Sequence, residues 1–266
     1  MVTKKLKVQK GLRKPVRRQK KKRRKVQPWL VAAGLLVLAC LVFFPYYRSG
    51  RFATSGAKIP DGSKEFCLDI SHYNEGIIWD SLLVMVDRRG HTTKDLLHAK
   101  RIFPVTRVII KATEGERLAD SRFEAYWEES GSHPFARGAY HFFRSSKDPV
   151  KQAEHYIRHV RLRHSDLPPI LDVETMHPGC TKEELNRKVL LWLQTVEKHY
   201  GRTPIVYASD SFARDILSPK ITGHYPMWIA RYNEQPPRFQ PWVMWQFTDK
   251  AVIYGAPGYV DLSVIQ

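Results

Sequence analysis

The stretch Leu167-Pro168-Pro169-Ile170-Leu171-Asp172-Val173-Glu174 predicts a short apolar strand that follows two prolines and ends in two acids. Proline has no backbone N–H to donate to a sheet, so both prolines fit best just before the strand. Side chains alternate along a strand, which places Asp172 and Glu174 on one face and Leu171 and Val173 on the other. Two carboxyl groups at one strand end are typical of enzymes that cleave glycosidic bonds, although an isolated Asp-x-Glu is more often structural.

On both sides of this stretch, strands alternate with helices as far as about residue 217, and strands then follow with little helix between them. This pattern predicts a parallel α/β sheet, and about eight strands predict a barrel. Residues 81–101 are expected to form two helical pieces that are broken at Gly90. Further helices are predicted at 123–130, after Asp148-Pro149, and after the capping box Thr181-x-x-Glu184. The predicted strands are 66–71, 106–115, 137–143, 167–174, 204–209, 227–232, 243–247 and 258–263.

Polar and aromatic side chains are concentrated where these strands end. In a βα-barrel the carboxyl ends of the strands line one common mouth. Carboxylates bind hydroxyls or transfer protons, and aromatic faces stack on sugar rings, so the set indicates a carbohydrate site. Glu114 is the least specific member, since it either contacts substrate or caps the turn at Gly115. The strand-end residues are Asp69, Glu114, Tyr140, Asp172, Glu174, Tyr207, Arg231, Gln246 and Asp261.

The positive charge of the chain is concentrated in an N-terminal tail. The net charge is +18, yet residues 1–28 hold 14 Lys or Arg and no acid, and residues 61–266 carry only about +1. Residues 29–47 then have no charged side chain, and as a helix they would span about 28 Å, the thickness of a bilayer's hydrocarbon core. Aromatic residues at both ends of this segment and the basic block before it predict a membrane anchor with a cytoplasmic N-terminus.

A cleaved signal peptide fits these residues less well, because the basic region is long and no small-x-small site follows the apolar run. We therefore expect four parts: a basic cytoplasmic tail (1–28), a transmembrane helix (29–47), a linker (48–63) and one catalytic domain (64–266). The domain would lie outside the cytoplasm, anchored to a bacterial inner membrane. The tail is expected near anionic lipid, and no motif supports binding of nucleic acid.

Several kinds of site lack support in the sequence. The eleven histidines show no HExxH or other close metal spacing, and there is neither a Gly-x-Ser-x-Gly elbow nor a phosphate loop. We therefore expect no cofactor and no required metal, with a hard cation on the carboxylates as the alternative. Cys67 and Cys180 are too few for a disulfide framework, and whether they pair is open.

Eight segments of the domain stand in the order found in one known family. On these segments, residues 66–266 resemble the glycoside hydrolase family 25 lysozymes. The tail and the apolar segment lie outside the resemblance. The stretch 80–106 is longer than expected for the family, so its role is left open. The matching segments are LDIS (68–71), IKATEG (110–115), GAYHF (138–142), LPPILDVE (167–174), VYAS (206–209), WIARY (228–232), WQFT (245–248) and VDL (260–262).

The resemblance implies an irregular, flattened TIM-like barrel of five βα units followed by three further strands. It also implies hydrolysis of the β-1,4 bond between N-acetylmuramic acid and N-acetylglucosamine in peptidoglycan. Glu174 matches the family's general acid and Asp172 the carboxylate beside it, while Asp69 and Asp261 match the two other acids of the site. Substrate contacts are implied at Tyr140, Tyr207, Trp228 and Gln246, and the strand-end pattern adds Glu114 and Arg231 as candidates.

The spacing of the two acids leaves the stereochemical outcome open. Residues i and i+2 on a strand are about 6.6 Å apart, between the carboxyl separations of retaining and inverting glycosidases. Neighbouring carboxyls are expected to raise the pKa of Glu174, which would keep it protonated near neutral pH. The resemblance favours a third route, in which the substrate's 2-acetamido oxygen attacks the anomeric carbon while Asp172 holds the amide.

Two other functions fit the same residues. One is an inactive glycan-binding barrel that acts as an anchored cell-wall scaffold, and the other is a hydrolase of a different N-acetylated polysaccharide. The leading expectation is a monomeric lysozyme whose partners are peptidoglycan glycan strands and, through residues 29–47, the membrane. A tethered domain reaches only nearby glycan, which argues for action on the cell's own wall.

Overall fold

The computed structural model describes residues 53–266. Its strands, in chain order, are β1 (Ser55–Lys58), β2 (Phe66–Ile70), β3 (Leu83–Val86), β4 (His91–Thr93), β5 (Arg101–Glu114), β6 (Leu118–Ala119), β7 (Ala136–Phe142), β8 (Ile170–Asp172), β9 (Ile205–Ser209), β10 (Met227–Ala230), β11 (Met244–Ala251) and β12 (Val260–Ile265). The helices are α1 (Phe123–Ser130), α2 (Pro149–His159), α3 (Lys182–Tyr200), α4 (Asp210–Asp215) and α5 (Pro219–Thr222), with a 3-10 turn at Trp79–Ser81.

Eight of the strands close into a barrel in the order β5-β2-β12-β11-β10-β9-β8-β7, and β7 pairs with β5 to complete the ring. Seven of them run parallel, whereas β12 runs antiparallel to both of its neighbours, β11 and β2. The predicted mixed α/β barrel is therefore confirmed. Because parallel strands end on the same side, their carboxyl ends form one mouth.

The stretch that was expected to be helical, residues 81–101, is instead a small antiparallel sheet. Strand β3 pairs with β4 and with the first residues of β5, and β4 pairs with β1. Val84, Met85 and Val86 are fully buried, and Gly90 sits in the intervening turn with a φ of 91°. An apolar run this short does not distinguish strand from helix, so its pairing partners decide.

The small sheet also differs from what was expected of the linker and of the first βα unit. Strand β1 lies within residues 48–63, which were expected to be only a linker. The crossover from β2 to β5 contains the sheet instead of an α-helix, so four of the five expected βα units are helical in residues 53–266. Strand β5 is correspondingly long, because its first residues pair with β3 and its later ones with β2 and β7.

The helix starts predicted at Asp148 and Thr181 are confirmed. The Asp148 carboxylate accepts hydrogen bonds from the N–H groups of Val150 and Lys151, at 2.9 and 3.0 Å, and begins α2. The Thr181 hydroxyl accepts one from the Glu184 N–H at 3.2 Å and begins α3, which ends at Gly201 in a left-handed conformation. The rings of Tyr156 on α2 and Trp192 on α3 pack 5.5 Å apart, so the two helices support β7 and β8 from outside.

The predicted basic tail (1–28) and transmembrane helix (29–47) lie outside the described residues, as does the start of the linker. Between residues 53 and 266, no helix has the length and apolar character needed to cross a bilayer. Cys67 and Cys180 are both buried and carry free thiols, so they do not pair.

Candidate active site

A cleft at the carboxyl ends of the barrel strands gathers most of the predicted site residues. It holds about 350 Å³ of space that protein atoms do not fill. Eight of the ten predicted side chains line it, and Tyr232 joins them. The lining residues are Asp69, Tyr140, Asp172, Glu174, Tyr207, Trp228, Tyr232, Gln246 and Asp261.

Asp172 and Glu174 meet in this cleft although β8 is shorter than the predicted strand and ends at Asp172. Beyond that point the Val173 N–H still donates to the Tyr207 carbonyl at 2.9 Å, and the Val173 side chain is fully buried. This bond prolongs the alternation of the strand by one residue, so Glu174 returns to the cleft side. Asp172 is buried, whereas Glu174 opens to solvent at the mouth.

The pKa values of both acids are raised, and the two groups share a hydrogen bond. Burial, then the charges of Glu174 and Asp69, raise the pKa of Asp172 well above its usual range. Partial desolvation raises the pKa of Glu174, while the hydrogen bond from Asp172 and the charge of Lys111 lower it in part. This hydrogen bond raises the pKa of Asp172 and lowers that of Glu174, which favours Asp172 as its donor and Glu174 as its acceptor. Asp172 Oδ1 is buried and has no hydrogen-bond donor among residues 53–266.

Asp69 and Asp261 face each other across the antiparallel pair β2–β12, where they occupy opposed positions. Burial, then the charges of Asp261 and Glu174, raise the pKa of Asp69 well above its usual range. Burial, then the charges of Asp249 and Glu174, raise the pKa of Asp261 to about 7. Both shifts favour the protonated form of the carboxyl, so each acid loses its proton at a higher pH than a free aspartate does.

An amide and two phenols form the opposite wall of the cleft. Gln246 Nε2 donates to Asp69 Oδ2 at 3.1 Å, and its Oε1 accepts from the hydroxyls of Tyr207 at 2.7 Å and Tyr232 at 3.1 Å. The rings of Tyr207 and Trp228 pack edge to face at 4.6 Å, and Trp228 Nε1 donates to the Ser263 hydroxyl at 3.0 Å. These contacts hold the wall in one arrangement before any ligand binds.

Two predicted site residues do not line the cleft. Glu114 accepts hydrogen bonds from Lys111 Nζ at 2.7 Å and Arg144 Nε at 2.9 Å. Burial alone would raise the pKa of Glu114, but these two cations outweigh it and lower the pKa. Arg231 donates to Asp210 Oδ2 at 3.1 Å. Both side chains are therefore engaged in ion pairs beside the cleft, because a strand-end position does not specify where a long side chain turns.

Two residues that act on the cleft, Lys111 and Tyr232, were not predicted from the sequence. The charge of Lys111 lowers the pKa values of Asp69, Asp172 and Glu174. The sequence feature that could have identified Lys111 is a lysine at the end of the apolar run of β5. Tyr232 follows β10 by two residues, and its signal was an aromatic residue just past a strand end. No group of three or more His, Cys, Asp or Glu side chains in residues 53–266 is arranged to hold a metal ion.

Known proteins resemble this chain in both sequence and fold. The sequence model described as glycosyl hydrolases family 25 matches residues 68–256. The chain is 32% identical over 224 residues to the uncharacterized protein YegX of Escherichia coli (strain K12), covering 84% of this chain and 76% of that protein. It is 28% identical over 157 residues to the autolytic lysozyme of Clostridium acetobutylicum, covering 59% of this chain and 47% of that protein. A solved family 25 glycosyl hydrolase from Bacillus anthracis superposes with a TM-score of 0.64 at 24% identity, covering 80% of this chain and 93% of that one.

Proposed function

Because the chain belongs to glycosyl hydrolase family 25 and is a glycoside hydrolase of the lysozyme type, we propose which bond it cleaves and how. The substrate is peptidoglycan, and the bond is the β-1,4 linkage between N-acetylmuramic acid and N-acetylglucosamine. Glu174 acts as the general acid, and Asp172 assists through the acetamido group of the substrate.

One observation carries this proposal: buried Asp172 shares a hydrogen bond with Glu174 at the cleft mouth, and its Oδ1 has no hydrogen-bond donor among residues 53–266. An acetamido N–H can satisfy that orphan acceptor. Such a bond favours the ionised form of Asp172, so the shared proton moves to Glu174. Binding of the correct sugar therefore places the proton on the group that must donate it.

The reaction then proceeds in two steps in which the substrate supplies its own nucleophile. The acetamido oxygen bonds to the anomeric carbon, the glycosidic C–O bond breaks, and the Glu174 proton moves to the leaving oxygen. Asp172 holds the N–H of the cyclic intermediate. Water then attacks the anomeric carbon and gives a proton to Glu174, and the acetamide re-forms. Two displacements at the same carbon retain the anomeric configuration.

The other cleft residues bind and orient the sugar in this proposal. The raised pKa values of Asp69 and Asp261 favour protonated carboxyls, which can both donate to and accept from sugar hydroxyls. Gln246 forms hydrogen bonds with both Asp69 and Tyr207, which fixes the position of the acid relative to the aromatic wall. Tyr140, Tyr207 and Trp228 provide apolar ring faces and edges for the sugar.

The test compares the full-length chain with Glu174→Gln on purified peptidoglycan. We expect Glu174→Gln to lose activity by about 10²–10⁴-fold. The control Glu183→Gln, which alters an exposed acid at the start of α3, should hydrolyse peptidoglycan as fast as wild type. Mass spectrometry of the wild-type products should find reducing N-acetylmuramic acid ends. Reducing N-acetylglucosamine ends would identify the other bond, and equal clearance by wild type and Glu174→Gln would remove Glu174 from its role. A wild type that binds glycan without cleaving it would identify the anchored scaffold.

We also propose that residues 1–47 anchor the catalytic domain to the membrane. The basic tail lies in the cytoplasm, residues 29–47 cross the bacterial inner membrane, and the domain lies outside the cytoplasm, where peptidoglycan is. The support is the charge asymmetry and the uncharged segment in the sequence. A topology reporter fused after Gln266 should be active only outside the cytoplasm, and a cytoplasmic signal would contradict both the anchor orientation and access to the substrate.

A further inference from the structure

A second, larger groove opens beside the acid cleft, and strand β1 supplies one of its walls. Its cavity volume is about 470 Å³, within the range of pockets that bind organic ligands. Tyr232 and Glu234 in the loop after β10 line another part, and residues 247–250 of β11 and Tyr259 complete it. Strand β1 precedes residue 68, where the match to the family begins. Strand β1 lies outside the ring of eight barrel strands, so this wall is formed by an element that packs on the barrel.

The groove and the acid cleft are joined through Tyr232, which lines both. Its hydroxyl donates to Gln246 in the cleft at 3.1 Å, while 55% of the residue is exposed. Asp249 lines the groove, and its charge acts on Asp261, which lines the cleft. A ligand bound among the acids can therefore extend a branch past Tyr232 into the groove without a break.

Close packing holds the β1 wall against the barrel. A side chain at Gly56 would come within 2.6 Å of the Lys250 carbonyl oxygen and the Val252 nitrogen, so only glycine allows this approach. The Thr92 hydroxyl accepts a hydrogen bond from the Val252 N–H at 2.9 Å and ties β4 to the end of β11. The groove is therefore built into the fold by the small sheet that replaces the first helix.

The groove carries charges of both signs, which a neutral sugar chain does not require. Lys58 Nζ lies 2.9 Å from Glu234 Oε2. Asp249 and Lys250 are exposed, and neither side chain forms an ion pair with another of residues 53–266. Neighbouring unpaired charges of opposite sign suit a ligand that has both carboxylate and ammonium groups.

We propose that this groove binds the stem peptide that branches from the muramic acid ring held in the acid cleft. The inference rests on the proposed function, because only peptidoglycan among the substrates considered has a charged peptide on its sugar. Such a peptide carries free carboxylates for Lys250 and Lys58, and an ammonium group on its diamino acid for Asp249 or Glu234. Four extended residues span about 13 Å, enough to leave the cleft and follow the groove.

The experiment measures binding to the full-length Glu174→Gln chain, so that no ligand is consumed. Its two ligands are a muramyl disaccharide with a tetrapeptide and the same disaccharide without peptide. We expect the peptide-bearing ligand to bind about tenfold tighter, the gain of one or two charge-assisted contacts. Adding Lys250→Glu should bring the two dissociation constants to within about twofold, and Lys58→Ala should narrow the difference to a smaller extent.

The matched control is Lys220→Glu, the same charge reversal at an exposed lysine on α5, away from the groove. It should leave the tenfold difference intact. Equal affinity for the two ligands, no measurable binding of either, or equal losses from Lys250→Glu and Lys220→Glu would overturn the proposal. Cleavage by the wild type is assayed separately, so a failure of the proposed function is distinguishable from a failure of the groove.

Discussion

Two acid-bearing strand ends of this barrel show opposite electrostatics. Glu114 ends β5 between two cations, Lys111 and Arg144, and its pKa is lowered. Glu174 follows β8 and has no ion pair within residues 53–266; partial desolvation keeps its pKa raised. Both acids lie at the carboxyl end of a barrel strand, yet one is held ionised in a salt bridge and the other is suited to carry a proton.

The comparison shows that the cations around an acid, more than its place on the strand, decide its role. Lys111 connects the two regions, because it bonds Glu114 and also lowers the pKa values of the cleft acids. The Lys111 ammonium therefore belongs to the ion pair with Glu114 and also limits the rise in pKa of the cleft acids. Substitutions at four positions test this difference between the two acids.

The largest effect is expected for Asp172→Asn, which abolishes the shared proton of the cleft pair. Activity should fall by about 10²–10³-fold, because the amide of the substrate loses its charged partner in the transition state. The melting temperature should not fall, since a buried acid is replaced by a neutral isostere. Initial rates of release from labelled peptidoglycan measure the first result. Retention of more than about a tenth of the activity would exclude the assisting role.

Next in size is the pH dependence of stability at Asp261. Its pKa is about 7 in the folded chain and about 3.9 when unfolded, so the folded state binds an extra proton between these values. Its contribution to stability is therefore lost as pH rises through about 7. Asp261→Asn should be more stable than wild type at pH 8, by on the order of 4 kcal/mol, with little difference at pH 4.

Melting curves of wild type and Asp261→Asn at both pH values provide the measurement. Glu124→Gln, which neutralises an exposed acid on α1, serves as the control and should show no such trend. A variant that is less stable than wild type at pH 8 would contradict the raised pKa.

A smaller change is expected for Lys111→Met, which removes the cation that both regions share. Without its charge, the pKa values of Asp69, Asp172 and Glu174 should rise further. A general acid remains protonated to higher pH when its pKa rises, so the alkaline limb of the pH–activity profile should move to higher pH. The acid limb, which requires an ionised Asp172, should move the same way. An unmoved profile would remove Lys111 from the electrostatics of the cleft.

The smallest effect is expected for Glu114→Gln. Activity should stay within about twofold of wild type, since the side chain does not line the cleft. Loss of the partly exposed ion pairs should lower stability by about 1 kcal/mol at neutral pH, or about 2–4 °C in melting temperature. Because the pKa of Glu114 is lowered, this loss should vanish as pH falls below that pKa, the opposite trend to Asp261→Asn. A large loss of activity would return Glu114 to the substrate site.

The sequence predicted features that depend on near neighbours in the chain. The caps at Asp148 and Thr181 and the stop at Gly201 are satisfied within one helical turn, so their residues suffice to specify them. The eight barrel strands were recognisable as apolar runs bounded by turn residues. Eight of the ten proposed site residues meet in one cleft, because alternation and strand direction carry that information.

Other features depended on contacts between distant parts of the chain. Residues 83–93 form strands because β1 and β5 offer edges to pair with, and nothing in so short an apolar run names those partners. The antiparallel direction of β12 is likewise set by its neighbours.

By itself, the sequence determined the eight barrel strands, the helices that follow Asp148 and Thr181, the acids at the barrel mouth and the glycosidase type of their chemistry, because these follow from local patterns. Only the tertiary structure decided which acids differ in pKa, since desolvation and the placement of Lys111 and Arg144 come from packing across the barrel. The same holds for the groove at β1, whose wall forms only when an early segment of the chain docks on β11, about 190 residues further along.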